Sequence, residues 1–202
     1  MGLIQLQAPA SEPLSLADVK NVLRLDASDT SEDVPLAIWI QSAREFAQTY
    51  AGRSFITQQW RLVLDGFAGT YGGDQDWLRA IDLEFGPVQS VDVVTYTALD
   101  RSTVVWPTTE YVVSTSGPVA RLAPRFGKIW PIAIPEPGSV QIDYTAGYGA
   151  ASSAVPACVR QWMLARLRAS YDHRGEFIAE RGVKVEPLQF IDRLLDPVRV
   201  II

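Results

Sequence analysis

The chain reads as an α+β protein, with an N-terminal pair of antiparallel helices and a long helix near 155–174 packed with a small antiparallel β region, then an extended C-terminal tail. Three observations predict this. Apolar residues recur at helical spacing across 33–51, the apolar period shortens from 3.6 to 2 after Ile56, and Ser139–Tyr144 runs through TAGYG to Val155-Pro156, a strand leading into a helix. Short strands between flanking helices give an antiparallel sheet in an α+β domain.

Residues 1–13 carry alternating apolar residues and then Pro9 and Pro13, and read as an N-terminal arm. Ser15 with Asp18 three positions on forms a capping-box pattern, and Leu16, Val19 and Leu23 give one face to a helix over 15–26. The acidic loop 27–33 supplies Ser and Asp side chains to cap the next helix, 33–51. There Leu36, Trp39, Ile40, Ala43, Phe46, Ala47 and Tyr50 share a stripe against Gln41, Arg44, Glu45 and Gln48, and Gly52 closes the helix.

Within the β region, 56–145, the expected strands are 57–67, 81–85, 91–97, 111–114, 119–122 and 140–145. Val140, Ile142 and Tyr144 alternate with Gln141, Asp143 and Thr145, as a half-buried strand requires. In the long helix Val155, Val159, Trp162, Met163 and Ala169 form the main stripe, while Leu164, Leu167 and Tyr171 form a second. Arg166 lies in the main stripe, where its stem packs and its head snorkels, or where it pairs across a subunit interface. The tail, 177–202, carries Leu188, Ile191, Leu194 and Leu195 on a short helix ended by Asp196-Pro197, then Val198-Arg199-Val200-Ile201-Ile202. An apolar chain end of this kind calls for a cover, either its own domain or a partner.

At 202 residues and 48% hydrophobic, the chain can bury one core and carry extensions. A net charge of −5 without long basic clusters argues against wrapping nucleic acid. The lone Cys158 has no metal-ligand companions and reads as a small buried hydrophobe. There is no signal-peptide pattern and no apolar run of membrane-spanning length, so a soluble intracellular protein is expected.

Catalytic signatures are sparse. A triad would have to use the one histidine, His173, and no nucleophile elbow, zinc-helix motif or P-loop occurs. Gly147-Tyr148-Gly149 is only part of a dinucleotide fingerprint and is better read as a sharp turn. Asp74 and Asp76 lack the further oxygen ligands of a calcium loop. The six tryptophans fall on strand and helix stripes, which favours core or subunit contacts over a stacking surface for sugars or bases. The reading is therefore of no catalytic residue, cofactor site or metal site.

Four segments, in order, carry a family resemblance: PLSLADVKNVLRLD with AREFAQTYAGR; ITQQWRLVLDGF; PVQSVDVVTY; and WP followed by GSVQIDYTAGYG, a helix-opening VP and the helix end SYDHRGE. Together they resemble the phage head-tail connector and adaptor family, of the phiE125 gp8-like and HK97 connector-like groups, including adaptors of phage-derived gene transfer particles. The resemblance spans about residues 13–176 and implies a connector domain over 14–176, with 1–13 as arm and 177–202 as docking tail.

It further implies a structural subunit, made in the bacterial cytoplasm, that assembles as a ring, commonly a dodecamer, in the particle neck. Such a ring sits beneath the portal, extends the DNA channel without sequence-specific binding, and meets the stopper or tail-completion protein. Twelve copies of this acidic chain would carry roughly −60, a field that lets DNA slide. On this reading Leu188, Ile191, Leu194, Leu195, Val198, Val200, Ile201 and Ile202 dock to the portal, and Arg166 and Tyr171 lie at a subunit interface. The competing readings are a tail-side phage structural protein and a small-molecule-binding or enzymatic α+β domain.

Overall fold

The computed structural model describes residues 2–67, 80–172 and 193–200. Eight strands occur among them: β1 (Gly2–Gln7), β2 (Gln58–Leu64), β3 (Ile81–Leu83), β4 (Val88–Thr97), β5 (Thr103–Val105), β6 (Tyr111–Ser114), β7 (Ala120–Pro124) and β8 (Val140–Ala146). The α-helices are α1 (Leu16–Leu23), α2 (Asp33–Ala51) and α3 (Ala157–Asp172). This is the α+β architecture that the alternation of periods predicts. The chain divides into a β unit, residues 1–10 and 57–148, and a helical unit, residues 11–56 and 149–202.

The β unit holds an antiparallel sheet in the order β1-β2-β8-β4-β5 and a second antiparallel sheet in the order β3-β7-β6. The arm read over 1–13 thus contains an edge strand, β1, paired to β2 with Leu3 opposite Leu62. β5 had no counterpart among the expected strands. Alternation is strict on β8, where Val140, Ile142, Tyr144 and Ala146 are buried. These residues join Leu62, Val94, Leu83 and Leu122 in one core. Burying each such aliphatic side chain contributes roughly 1.5–3 kcal/mol.

The fully buried Tyr144 keeps its one polar atom satisfied by donating from Oη to the Glu84 carbonyl at 2.7 Å. Burial, reinforced by the Glu84 charge, pushes its phenol well above the usual tyrosine range. On the other face of the sheet Asp143 stands opposite Arg61, which donates Nε and Nη2 to its two carboxylate oxygens at 2.6 and 2.7 Å. An aromatic group of Phe67, Trp106 and Trp130, with centroids 4.9 to 5.7 Å apart, closes the core.

In the helical unit the capping box on α1 is complete, with Asp18 N–H donating to Ser15 Oγ and Ser15 N–H donating to Asp18 Oδ2, both at 3.1 Å. The helix stops at Leu23, short of the expected Asp26, because Arg24 takes a left-handed conformation. Asp26 and Asp29 accept from the N–H groups of Ser28 and Ser31, so these side chains close turns within the loop, and no side chain caps α2 at Glu32. Lys20 instead ties α1 to the start of α2, with Nζ 2.5 Å from Asp33 Oδ1.

The buried face of α2 is rotated from the expected one. Arg44 and Gln48, assigned to the polar side, are 4% and 5% exposed, whereas Phe46, assigned to the core, is 53% exposed. Both buried polar groups find partners outside the helix. Arg44 Nε donates to Glu12 Oε2 at 2.8 Å, and Gln48 Oε1 accepts from Phe55 N–H at 3.3 Å. Charged and amide groups with such partners can be buried at little net cost.

α3 begins one residue after Pro156, whose carbonyl accepts from Val159 N–H, and buries Val159, Trp162, Met163 and Leu167. Before it, Gly149 is required sterically, since a Cβ there would come within 2.7 Å of Ala154 Cβ. Cys158 is half-buried with a free thiol, more open than a core position.

Candidate interaction surface

α2 and α3 pack against each other, with Ala43 and Ala47 of α2 and Met163 and Leu167 of α3 buried, and a concavity lies between the two helices. The concavity is a cleft of about 290 Å³ lined by Trp39, Ser42, Phe46, Trp162, Arg166 and Ser170. Phe46 stacks on Trp162 with centroids 5.7 Å apart and planes 3° from parallel. The Arg166 guanidinium lies 5.8 Å from the Phe46 ring centroid, within range of a cation–π contact.

Both residues expected at a subunit interface belong to this region. Arg166 is an exposed part of the lining, and Tyr171 meets Trp39 edge-on at 6.3 Å. Trp39, Phe46 and Trp162 were not assigned to a site from sequence. For Trp39 and Phe46 the signal is the breadth of the α2 stripe, which is wider than one packed face uses, whereas Trp162 belongs to the main stripe of α3.

The chain's end is placed differently from expectation. Instead of a helix ended at Asp196-Pro197, a short 3-10 segment runs from Arg193 to Val198 through Pro197. Leu195 and Val198 are 1% and 8% exposed, and this segment lies against α2 and α3 of its own unit. Val200 N–H donates to the Ala51 carbonyl at 2.9 Å, satisfying one of the free carbonyls at the end of α2. Arg53 Nε donates to the Val198 carbonyl at 3.2 Å, and the Arg199 guanidinium sits 4.7 Å from the Tyr50 ring centroid. Leu195 and Val198 are therefore buried within the chain's own unit. Leu194 and Val200 are half-buried, while Leu188, Ile191, Ile201 and Ile202 lie outside the described residues.

Among the described residues no group of three His, Cys, Asp or Glu side chains is arranged to hold a metal, and no helix is long and apolar enough to cross a membrane. His173, Asp74, Asp76 and Trp77 lie outside the described residues. A second groove, between α1 and α3, is lined mainly by Leu14, Val22, Ala157, Arg160 and Leu164. Aromatic faces, two serine hydroxyls and a guanidinium equip the α2–α3 cleft for packing, with no acid–base pair converging on it.

Residues 13–97 match the family of phage gp6-like head-tail connector proteins, in agreement with the resemblance carried by the sequence. The fold is similar, over 100% of this chain and 96% of the other, to a chain in the neck of an empty GTA particle computed with C6 symmetry, with a TM-score of 0.78 at 21% identity. It is likewise similar, at the same coverage, to a chain in the virion of a native gene transfer agent particle (TM-score 0.76, 20% identity). A chain in the neck of a native GTA particle computed with C12 symmetry gives 0.73 at 21% identity, again with that coverage. Among curated proteins none matches.

Proposed function

We propose that this protein is a structural head-tail connector subunit that assembles as a ring in the neck of a tailed phage or phage-like gene transfer particle. The observation that carries this reading is the likeness of the whole fold, both units included, to chains of gene transfer agent necks. The match of residues 13–97 to the connector family supports it. In this role the chain has no catalytic task. Its ring, of twelve copies, lies beneath the portal, carries the DNA channel onward and presents the stopper or tail-completion protein with a platform. The α2–α3 cleft, with Arg166 and Tyr171, serves as a subunit contact.

Portal docking uses the apolar residues of the tail other than the buried Leu195 and Val198. Leu195 and Val198 act as the foundation that holds the segment, while Leu194, Val200, Leu188, Ile191, Ile201 and Ile202 make the contact. Co-sedimentation with the purified portal of the same particle tests the function. One chain per portal subunit, seen as a ring by electron microscopy, is the expected result. A chain that stays in the supernatant with portal but sediments with isolated tails would instead make this a tail-side protein.

A further inference from the structure

We propose that the turn Arg125–Lys128 is a knob that seats Phe126 in the α2–α3 cleft of a neighbouring copy of this chain. Phe126 is 104% exposed, so its side chain rests on none of the described residues. The backbone beneath it is nonetheless firmly built. Lys128 N–H donates to the Arg125 carbonyl at 2.8 Å across the turn, and Gly127 holds the positive φ of 80° required at the third position of a type II turn. Arg125 N–H donates to the Glu110 carbonyl at 2.9 Å, and Lys128 Nζ lies 2.9 Å from Glu110 Oε2. After the turn, Trp130 and Ala133 are buried while Ile129 and Ile132 are 65% and 60% exposed, so the segment is clamped from below and apolar outside. A preorganised, fully exposed aromatic with two aliphatic neighbours marks a binding surface.

The occupant follows from shape and symmetry. A ring is built head to tail, so each subunit must carry two different, complementary surfaces. The knob is convex. The cleft, about 290 Å³, is concave and at the lower edge of the size of small-molecule sites, with room for one or two side chains. Phe46, 53% exposed and backed by the buried Trp162, offers an aromatic surface, and the Arg166 guanidinium offers a cation to a second ring. This inference rests on the ring reading and names the contact that closes it.

The test incorporates a photo-crosslinker, Phe126→p-benzoylphenylalanine, into the full chain in particle-producing cells, then irradiates purified particles and maps adducts by mass spectrometry. Adducts to α2 or α3 peptides of the same protein, in a ladder of covalent oligomers, are expected. Adducts to portal, stopper or any other neck protein, or rings without adducts at the cleft, would overturn the knob while leaving the ring intact. Absence of a ring in particles carrying the unaltered chain would overturn the functional reading itself. As an independent measure, Phe126→Glu should lower ring incorporation by about tenfold or more with the thermal midpoint of the free chain unmoved. Incorporation at the unaltered level would count against the proposal.

Discussion

In the β unit, each strand residue faces one side or the other, and Val140, Ile142, Tyr144 and Ala146 are buried in strict alternation. In the helical unit the same apolar drive meets a continuous choice of rotation, and α2 settles with a guanidinium inside and a phenylalanine outside. A strand shifted by one residue would expose its whole apolar set, so hydrophobicity alone decides the face. A helix can turn by a fraction of a residue spacing, so one long-range ion pair can tip the balance. The strand face that hydrophobicity alone dictates is thereby fully buried, and the helix that an ion pair tunes keeps the aromatic ring of Phe46 at the surface.

The contrast can be broken at its strongest point first. Ile142→Ala, in the β core, should cost about 2–5 kcal/mol, read as a lowered urea midpoint. A loss well under 1 kcal/mol would mean that this core relaxes around a cavity. In the helical unit Glu12→Ala should cost about 1.5–3 kcal/mol, since it leaves the buried Arg44 guanidinium only its longer contact, Nη2 to Oε1 of the exposed Glu45 at 3.5 Å, with a discount because Glu12 is partly exposed. Adding Arg44→Met should recover most of that loss, and failure to recover it would show that the ion pair does not set the rotation of α2.

The smallest effect concerns the α1 cap. The Asp18 carboxyl is held below the ordinary range, first by the hydrogen bond with the Ser15 side chain and then by the Ser15 backbone. A carboxyl depressed in the folded state stabilises it above the ordinary carboxylate range, and that contribution is lost as pH falls through the folded value. Ser15→Ala should cost about 0.5–2 kcal/mol near neutrality. The difference between variant and parent should shrink in acid, and a difference independent of pH would remove Asp18 from the explanation.

Legibility followed the same division. The limits of α2, its Gly52 cap, the box of Ser15 and Asp18 and the alternation on β8 are written in local spacing, and all were readable. β5 is three residues long, too short for a period to register. β1 acquires its identity from pairing with β2, more than fifty residues away. The cleft was half legible, because Arg166 and Tyr171 stood out on α3 while Phe46 reads as core until Glu12 is known to hold Arg44. The stop expected at Asp196-Pro197 is misplaced, because a proline after an aspartate reads as a helix end, yet the 3-10 segment passes through Pro197.

One feature of the chain's division bears on how it is made. The β unit is complete once residue 148 has emerged, whereas the helical unit begins at residue 11 and needs α3 and the Arg193–Val200 segment to finish. Domains fold as units during synthesis, N-terminal ones first, so α1 and α2 wait on the ribosome while the inserted sheets form. A polypeptide released early would hold a folded β unit and no cleft.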